Sequence, residues 1–198
     1  MIVVTEDGKK IILNTDGTWE EYKEVSLSNT EFDVRKVNWG MNQAQIRETE
    51  TLELIIDEAD TVAYEGKLNN NACLIVYRFY NNKLSSMDYI FKHTYSDDAR
   101  FVNDFETLKD SLIKKYGKPL ESNRHFFSET YEDSYTDWGM ALSTGELSFF
   151  TTWIVNQTKI MLALYGDNYE VSFILSYSGT EYEGSIQETN EQNLLNDL

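Results

Sequence analysis

The shortness of the turns constrains this chain more than any other feature. Thr61–Leu68, Ala72–Tyr80 and Leu84–His93 are runs rich in β-branched and aromatic residues, separated only by Asn69-Asn70-Asn71 and by Asn81-Asn82. Asn tolerates left-handed φ, so both gaps read as tight turns. Strands joined this closely pair antiparallel, because a parallel partner needs a crossover of a dozen or more residues. The same punctuation recurs later. Leu147–Val155, Lys159–Tyr165 and Tyr169–Ser178 are divided by Asn156-Gln157 and by Gly166-Asp167-Asn168. Within Ala72–Tyr80, Cys73, Ile75, Tyr77 and Phe79 share one face, while Leu74, Val76 and Arg78 take the other. A strand apolar on both sides belongs in a sheet interior. Val171, Phe173, Leu175 and Tyr177 alternate with polar residues except at Ile174.

Each set of three strands follows a helical pattern. In the first, Asn42 caps a helix and Gln45 three residues on completes a capping box, with Met41 and Ile46 placed as a hydrophobic staple. The spacing predicts a helix to about Leu54, weakened by Thr49 and Thr51. In the second, Asn103 is the expected cap with Glu106 behind it. Phe105, Leu108, Leu112, Ile113 and Tyr116 form one stripe at helical period. Lys114 and Lys115 suit the last turn, Gly117 is the stop and Pro119 follows it.

The first residues read differently. Ile2–Thr5, Lys10–Leu13 and Thr18–Tyr22 are short strands around two Asp-Gly pairs, a hairpin signal. Such a unit buries little alone, and Trp19 is the expected contact with the rest. The organisation is thus an N-terminal β-meander over 1–24, a linker through Val25–Glu31, an α+β domain over 32–183 and a polar tail over 184–198. Ile186, Leu194 and Leu195 are the tail's only docking candidates. The extended stretch Phe32–Gly40 leads into the first helix, and Arg124–Thr136 carries no assignable pattern. The fold class is α+β: antiparallel sheet, two main helices packed on it, and a repeated helix-then-three-strands plan without a residue-level repeat.

Composition narrows the function. The chain has 198 residues and a formal charge of −17, from 17 Lys and Arg against 34 Asp and Glu. That disfavours phosphate backbones and anionic membrane surfaces. It suits solubility, a cationic partner or divalent ions. No apolar run approaches the ~20 residues of a spanning helix, so neither nucleic acid nor membrane insertion is expected. Met1–Thr5 followed at once by Glu6-Asp7-Gly8 lacks the pattern of a signal peptide. With Met1 as natural start the chain reads as cytoplasmic; with a leader removed ahead of it, as exported.

Catalytic constellations are missing from the pattern. No P-loop, no G-x-S-x-G and no G-x-G-x-x-G occurs. Cys73 is the only thiol and lies in a strand-core pattern, so it reads as buried and inert. His93 and His125 are far apart in sequence and read as surface or strand-end residues; no zinc spacing joins them. Glu129, Glu132, Asp133 and Asp137 form the densest carboxylate set, which reads as a solvated loop and offers oxygens for calcium or magnesium without EF-hand spacing. Trp39, Trp138 and Trp153 read as core anchors, Trp39 fastening the first helix to the sheet. Asn156-Gln157-Thr158 is a glycosylation sequon, relevant only in a secreted eukaryotic chain. No catalytic, cofactor-binding or metal-binding residue is assigned, and no cofactor is expected.

Asp7-Gly8-Lys9-Lys10 with Asp16-Gly17-Thr18-Trp19 resembles the hairpin that opens many uncharacterised bacterial proteins. Val37-Asn38-Trp39-Gly40-Met41 through Gln45-Ile46 resembles the helix entry of domains similar to the BamE/SmpA outer-membrane assembly lipoproteins. Lys115-Tyr116-Gly117-Lys118-Pro119 resembles the helix exit of the same kind of domain. The resemblance implies a bacterial helix-on-sheet scaffold and transfers no catalytic residue; the lipoprotein cysteine is missing. The expected function is a non-enzymatic protein- or peptide-binding module. The alternatives are an acidic immunity or inhibitor protein against a basic partner, and a small hydrolase with a carboxylate-bound metal.

Overall fold

The computed structural model describes residues 2–5, 9–13, 17–21, 32–128, 131 and 135–184. Three short strands, β1 (Ile2–Val4), β2 (Lys10–Leu13) and β3 (Trp19–Glu21), form the expected N-terminal antiparallel sheet. Trp19 is 65% exposed, which corrects its expected role as the docking contact. A three-residue strand has no second layer of its own to bury an indole against. The expected linker over 25–31 and the tail from 185 on lie outside the described residues.

The rest is built on one eight-stranded antiparallel sheet. Its strands are β4 (Glu53–Asp57), β5 (Thr61–Leu68), β6 (Asn71–Tyr80), β7 (Lys83–Phe91), β8 (Glu121–Phe126), β9 (Leu147–Val155), β10 (Thr158–Asp167) and β11 (Glu170–Gly179). The order across the sheet is β4-β5-β6-β7-β11-β10-β9-β8. Two four-stranded meanders therefore meet last strand to last strand, through the antiparallel pairing of β7 with β11. Each meander follows a helix, α1 (Gln43–Thr49) or α2 (Ala99–Tyr116). The repeated plan is thus real, but with four strands per unit. Both additional strands, β4 and β8, sit at the sheet edges.

Turn chemistry fixes the meanders. Asn69-Asn70, Asn81-Asn82 and Asn168-Tyr169 all carry two positive φ angles, the pattern of the two-residue hairpin turn that matches strand twist. Asn156 supplies a positive φ at the fourth turn. The turn after β10 is centred on Asn168-Tyr169, at the far end of the expected Gly166-Asp167-Asn168 gap, since the strand continues through Asp167. Gly166 stays in the strand for another reason: a Cβ there would run into the Leu142 carbonyl oxygen of α3 (Trp138–Ser143).

All three helices cover one face. On it Ile75, Tyr77, Met87, Leu162, Phe173 and Leu175 are buried against Ile46 of α1, Phe105 and Leu112 of α2, and Leu142 of α3. The other face carries Leu74, Ile90, Ile174, Ala163 and Phe150 in one cross-strand row. The capping box of α1 is present: Gln45 N donates to Asn42 Oδ1 at 3.0 Å and Asn42 N donates to Gln45 Oε1 at 2.9 Å. The helix ends at Thr49, not Leu54, because Glu50 turns extended and directs its carboxylate into the core. Helix α2 begins at Ala99, four residues before Asn103. Phe101 and Val102 extend its buried stripe N-terminally, so core contact outweighs the local cap signal. Gly117, at φ +82, ends it as expected.

Trp39 does more than fasten α1. Its Nε1–H donates to Thr158 Oγ1 of β10 at 2.9 Å, and its ring lies against Gly179 at the end of β11. Segment 32–41 of the first unit is thereby held by the second. Trp153, 1% exposed, donates from Nε1 to the Gly117 carbonyl at 3.0 Å and locks the exit of α2 onto β9.

The α3–β10 contact makes a direct prediction. Gly166→Ala should cost roughly 1–3 kcal/mol, the range for overpacking, because the obstacle is backbone rather than a movable side chain. Urea denaturation of the two proteins measures it, and an unchanged midpoint would contradict the packing described.

Candidate functional site

Two regions combine accessible surface with specific chemistry. The first is the β4 edge. Its sequence, Glu-Leu-Ile-Ile-Asp, places three aliphatic residues in a row, with Leu54 40% and Ile55 48% exposed. A register shift between Leu54 and Ile56 turns Ile55 out of the pairing with β5. Among the described residues no other strand pairs with the outer side of β4. Carboxylates bracket it: Glu53 on one side, and Asp57, Glu58 and Asp60 on the other. Arg47 pairs with Asp57, and Lys92 pairs with Glu65, the residue opposite Glu53. The opposite edge, β8, is Glu-Ser-Asn-Arg-His-Phe and offers no aliphatic row.

The second region lies on the helical face, where the units meet. A cavity of about 380 Å³ opens between α2 and the turn at Asp33-Val34-Arg35, floored by Tyr89, Leu175 and Tyr177. The stretch expected to be extended folds here into a tight turn that bridges Val34 to Val37 and puts Arg35 at φ +51. The guanidinium meets Glu50 in a two-point pair, Nε to Oε1 at 2.7 Å and Nη2 to Oε2 at 3.2 Å. Tyr77 donates its hydroxyl to the same Oε1 at 2.5 Å. Burial works against the Arg35 charge, but hydrogen bonds to Glu50 and Tyr89 more than restore it, so its pKa is held above the ordinary value. Tyr116 donates to the Tyr177 hydroxyl at a long 3.4 Å.

The residues singled out from sequence fare unevenly. Glu129, Glu132 and Asp133 lie outside the described residues. Asp137 precedes α3, and no metal-binding group of His, Cys or carboxylate side chains occurs among the described residues. Cys73 is fully buried as expected, and burial pushes its thiol pKa up, away from the reactive thiolate. His125 is exposed on β8 beside the Phe127 ring. His93 departs from an ordinary strand-end residue. It stacks on Phe101 at 5.1 Å between ring centroids, and its Nε2 lies 3.2 Å from Asp104 Oδ2, which also accepts from the Tyr95 hydroxyl at 2.5 Å. Trp138 packs against Phe149 and Phe126, a core role as read. Glu50 and Arg35 carried no sequence signal beyond their charge.

No helix among the described residues is long and apolar enough to cross a membrane. No family model, no curated protein and no solved structure matches the chain.

Two outcomes follow from the buried network. Glu50→Ala strands the Arg35 charge and the Tyr77 hydroxyl, and should cost about 3–5 kcal/mol; a loss within experimental error in chemical denaturation would refute the pairing. The phenols of Tyr77, Tyr89 and Tyr177 are all pushed up, burial being the first cause in each. Such groups keep their protons where the unfolded chain has lost them. Their stabilisation is present below about pH 10 and is lost as pH rises beyond it. Tyrosinate absorbance at 295 nm should therefore show a late fraction titrating together with unfolding; complete titration of all tyrosines in the folded state would contradict this.

Proposed function

We propose that this protein is a non-enzymatic binding module whose β4 edge takes up an extended, basic segment of another polypeptide as an added strand. The observation that carries the reading is the exposed Leu54-Ile55 edge bracketed by carboxylates. Main-chain hydrogen bonds would give affinity, the aliphatic pair would gain from burial, and the flanking acids would select Lys or Arg. The same acids work against pairing between two copies. In an antiparallel β4–β4 pair Glu53 of one copy would approach Asp57 of the other, within a chain of charge −17. An exposed aliphatic edge is otherwise an aggregation hazard, so the exposed Leu54 and Ile55 fit a surface with an occupant. The resemblance of the helix entry to bacterial assembly lipoproteins is in keeping with an interaction role. A basic toxin or nuclease is one partner of the required charge, which makes the inhibitor reading a special case of this one.

Fluorescence anisotropy with a labelled peptide of alternating Lys and Val tests the proposal. Binding should be saturable, weaken as salt rises from about 50 to about 500 mM, and fall roughly tenfold or more, about 1.4 kcal/mol, in Ile55→Lys. An Ile55→Lys protein that binds as well as the parent, or a Glu-Val peptide that binds equally, would sink it.

A further inference from the structure

We propose that the cavity between α2 and the 33–35 turn is a binding site for a small apolar molecule carrying one acidic group, such as a medium-chain or aromatic carboxylic acid. The cavity exists because the two units are covered unequally. Helix α1 has 7 residues where α2 has 18, and the second unit has α3 in addition. The short helix leaves the floor at the seam of the units open along one flank of α2.

That flank is ordered by type. Asp104 and Thr107 line a second hollow of about 250 Å³, walled by Phe91 and Phe173. Leu108 and Leu68 are shared by both hollows. Leu112, Ser111 and Lys115 line the larger one. At a rise of about 1.5 Å per residue, Asp104 to Lys115 spans roughly 17 Å. The larger hollow is at the small end of ligand pockets, roughly 300–1,000 Å³, which suits a small molecule rather than a folded segment. Its aliphatic wall comes from Leu108, Leu112, Val155, Ile160 and Leu175.

The polar groups favour an acceptor. Arg35, Lys115 and the hydroxyls of Tyr89 and Tyr177 are all donors at the lining. Tyr177 is 6% exposed and accepts from Tyr116, so its own proton is available to a ligand in the hollow. Lys115 sits over the Tyr116 ring, with no carboxylate partner among the described residues. Asp33 is the one acid of the lining, and its Oδ2 is already held by the Trp39 backbone N–H at 2.9 Å. The charge gradient orients the occupant. The acidic group lies toward Lys115 and Tyr177, and the apolar part toward Leu108, away from Asp104. A cationic ligand is opposed by Lys115, whereas the Arg35 charge is already balanced by Glu50. This site lies on the helical face and does not depend on the β4 edge.

The experiment uses the full chain and displacement of 1-anilinonaphthalene-8-sulfonate fluorescence. Decanoate should displace the dye saturably, and at least about tenfold more strongly, 1.4 kcal/mol, than decanol or decyltrimethylammonium. Tyr177→Phe keeps the ring and removes the hydroxyl, and Lys115→Gln changes an exposed residue, so both should fold. Each should weaken decanoate several-fold and leave decanol unchanged. The proposal is overturned if none of the three ligands displaces the dye, if decanol or the ammonium matches decanoate, or if neither variant alters decanoate binding.

Discussion

The pairing of β7 with β11 is the interaction on which the rest of the structure depends. It runs over five residue pairs, from Ser86–Ser178 to Ile90–Ile174, half as many as join β10 to β11. Everything else in the sheet is local: each remaining pair joins strands adjacent in the chain or, for β8 and β9, separated by α3. The seam alone makes one sheet out of two meanders. Its inward residues Tyr89, Phe91, Phe173, Leu175 and Tyr177 are all buried, with Phe91 and Phe173 stacked at 4.4 Å. Extra burial and ring contacts at the seam offset the shortness of its ladder.

Near symmetry in the sheet is joined to asymmetry in the layer above it. The long α2 and the inserted α3 seal the second unit with apolar contacts. The first unit is closed by a short capped helix and by a turn whose Arg35 is paired with Glu50 at the end of that helix. A polar closure demands full satisfaction of each group, and it leaves space where a longer helix would have filled it. The cavity at the seam thus goes with the difference in helix length.

Much of the sheet was legible because its determinants are local. Paired Asn residues specify left-handed turns whatever lies beyond them, and β5 and β9 fall at the residues their patterns indicate. The helix limits were less legible. Thr49 ends α1 because Glu50 is needed by Arg35 and Tyr77, fifteen and twenty-seven residues away. Helix α2 starts early because Phe101 and Val102 find core, which a cap motif at Asn103 cannot reveal. Strand β8 was missed because an edge strand with one polar face and one thinly covered face shows no alternation. The cavity was invisible in principle: its lining comes from segments around residues 33, 68, 89, 111, 156 and 176, and no periodicity links them.

The Trp39–Thr158 hydrogen bond spans 119 residues of sequence. Its consequence concerns the order of events during synthesis. The strap ahead of α1 leaves the ribosome more than a hundred residues before the surface it fastens to, β10 and Gly179. Until then α1 is held only within the first unit, by Gln43 on the Glu58 and Ala59 carbonyls and by Gly40 and Met41 on Leu84, and the strap ahead of it lacks its far attachment. Closing so large a loop carries an entropic cost repaid only when the second hairpin is in place. The first unit to be translated is thus the last to be finished.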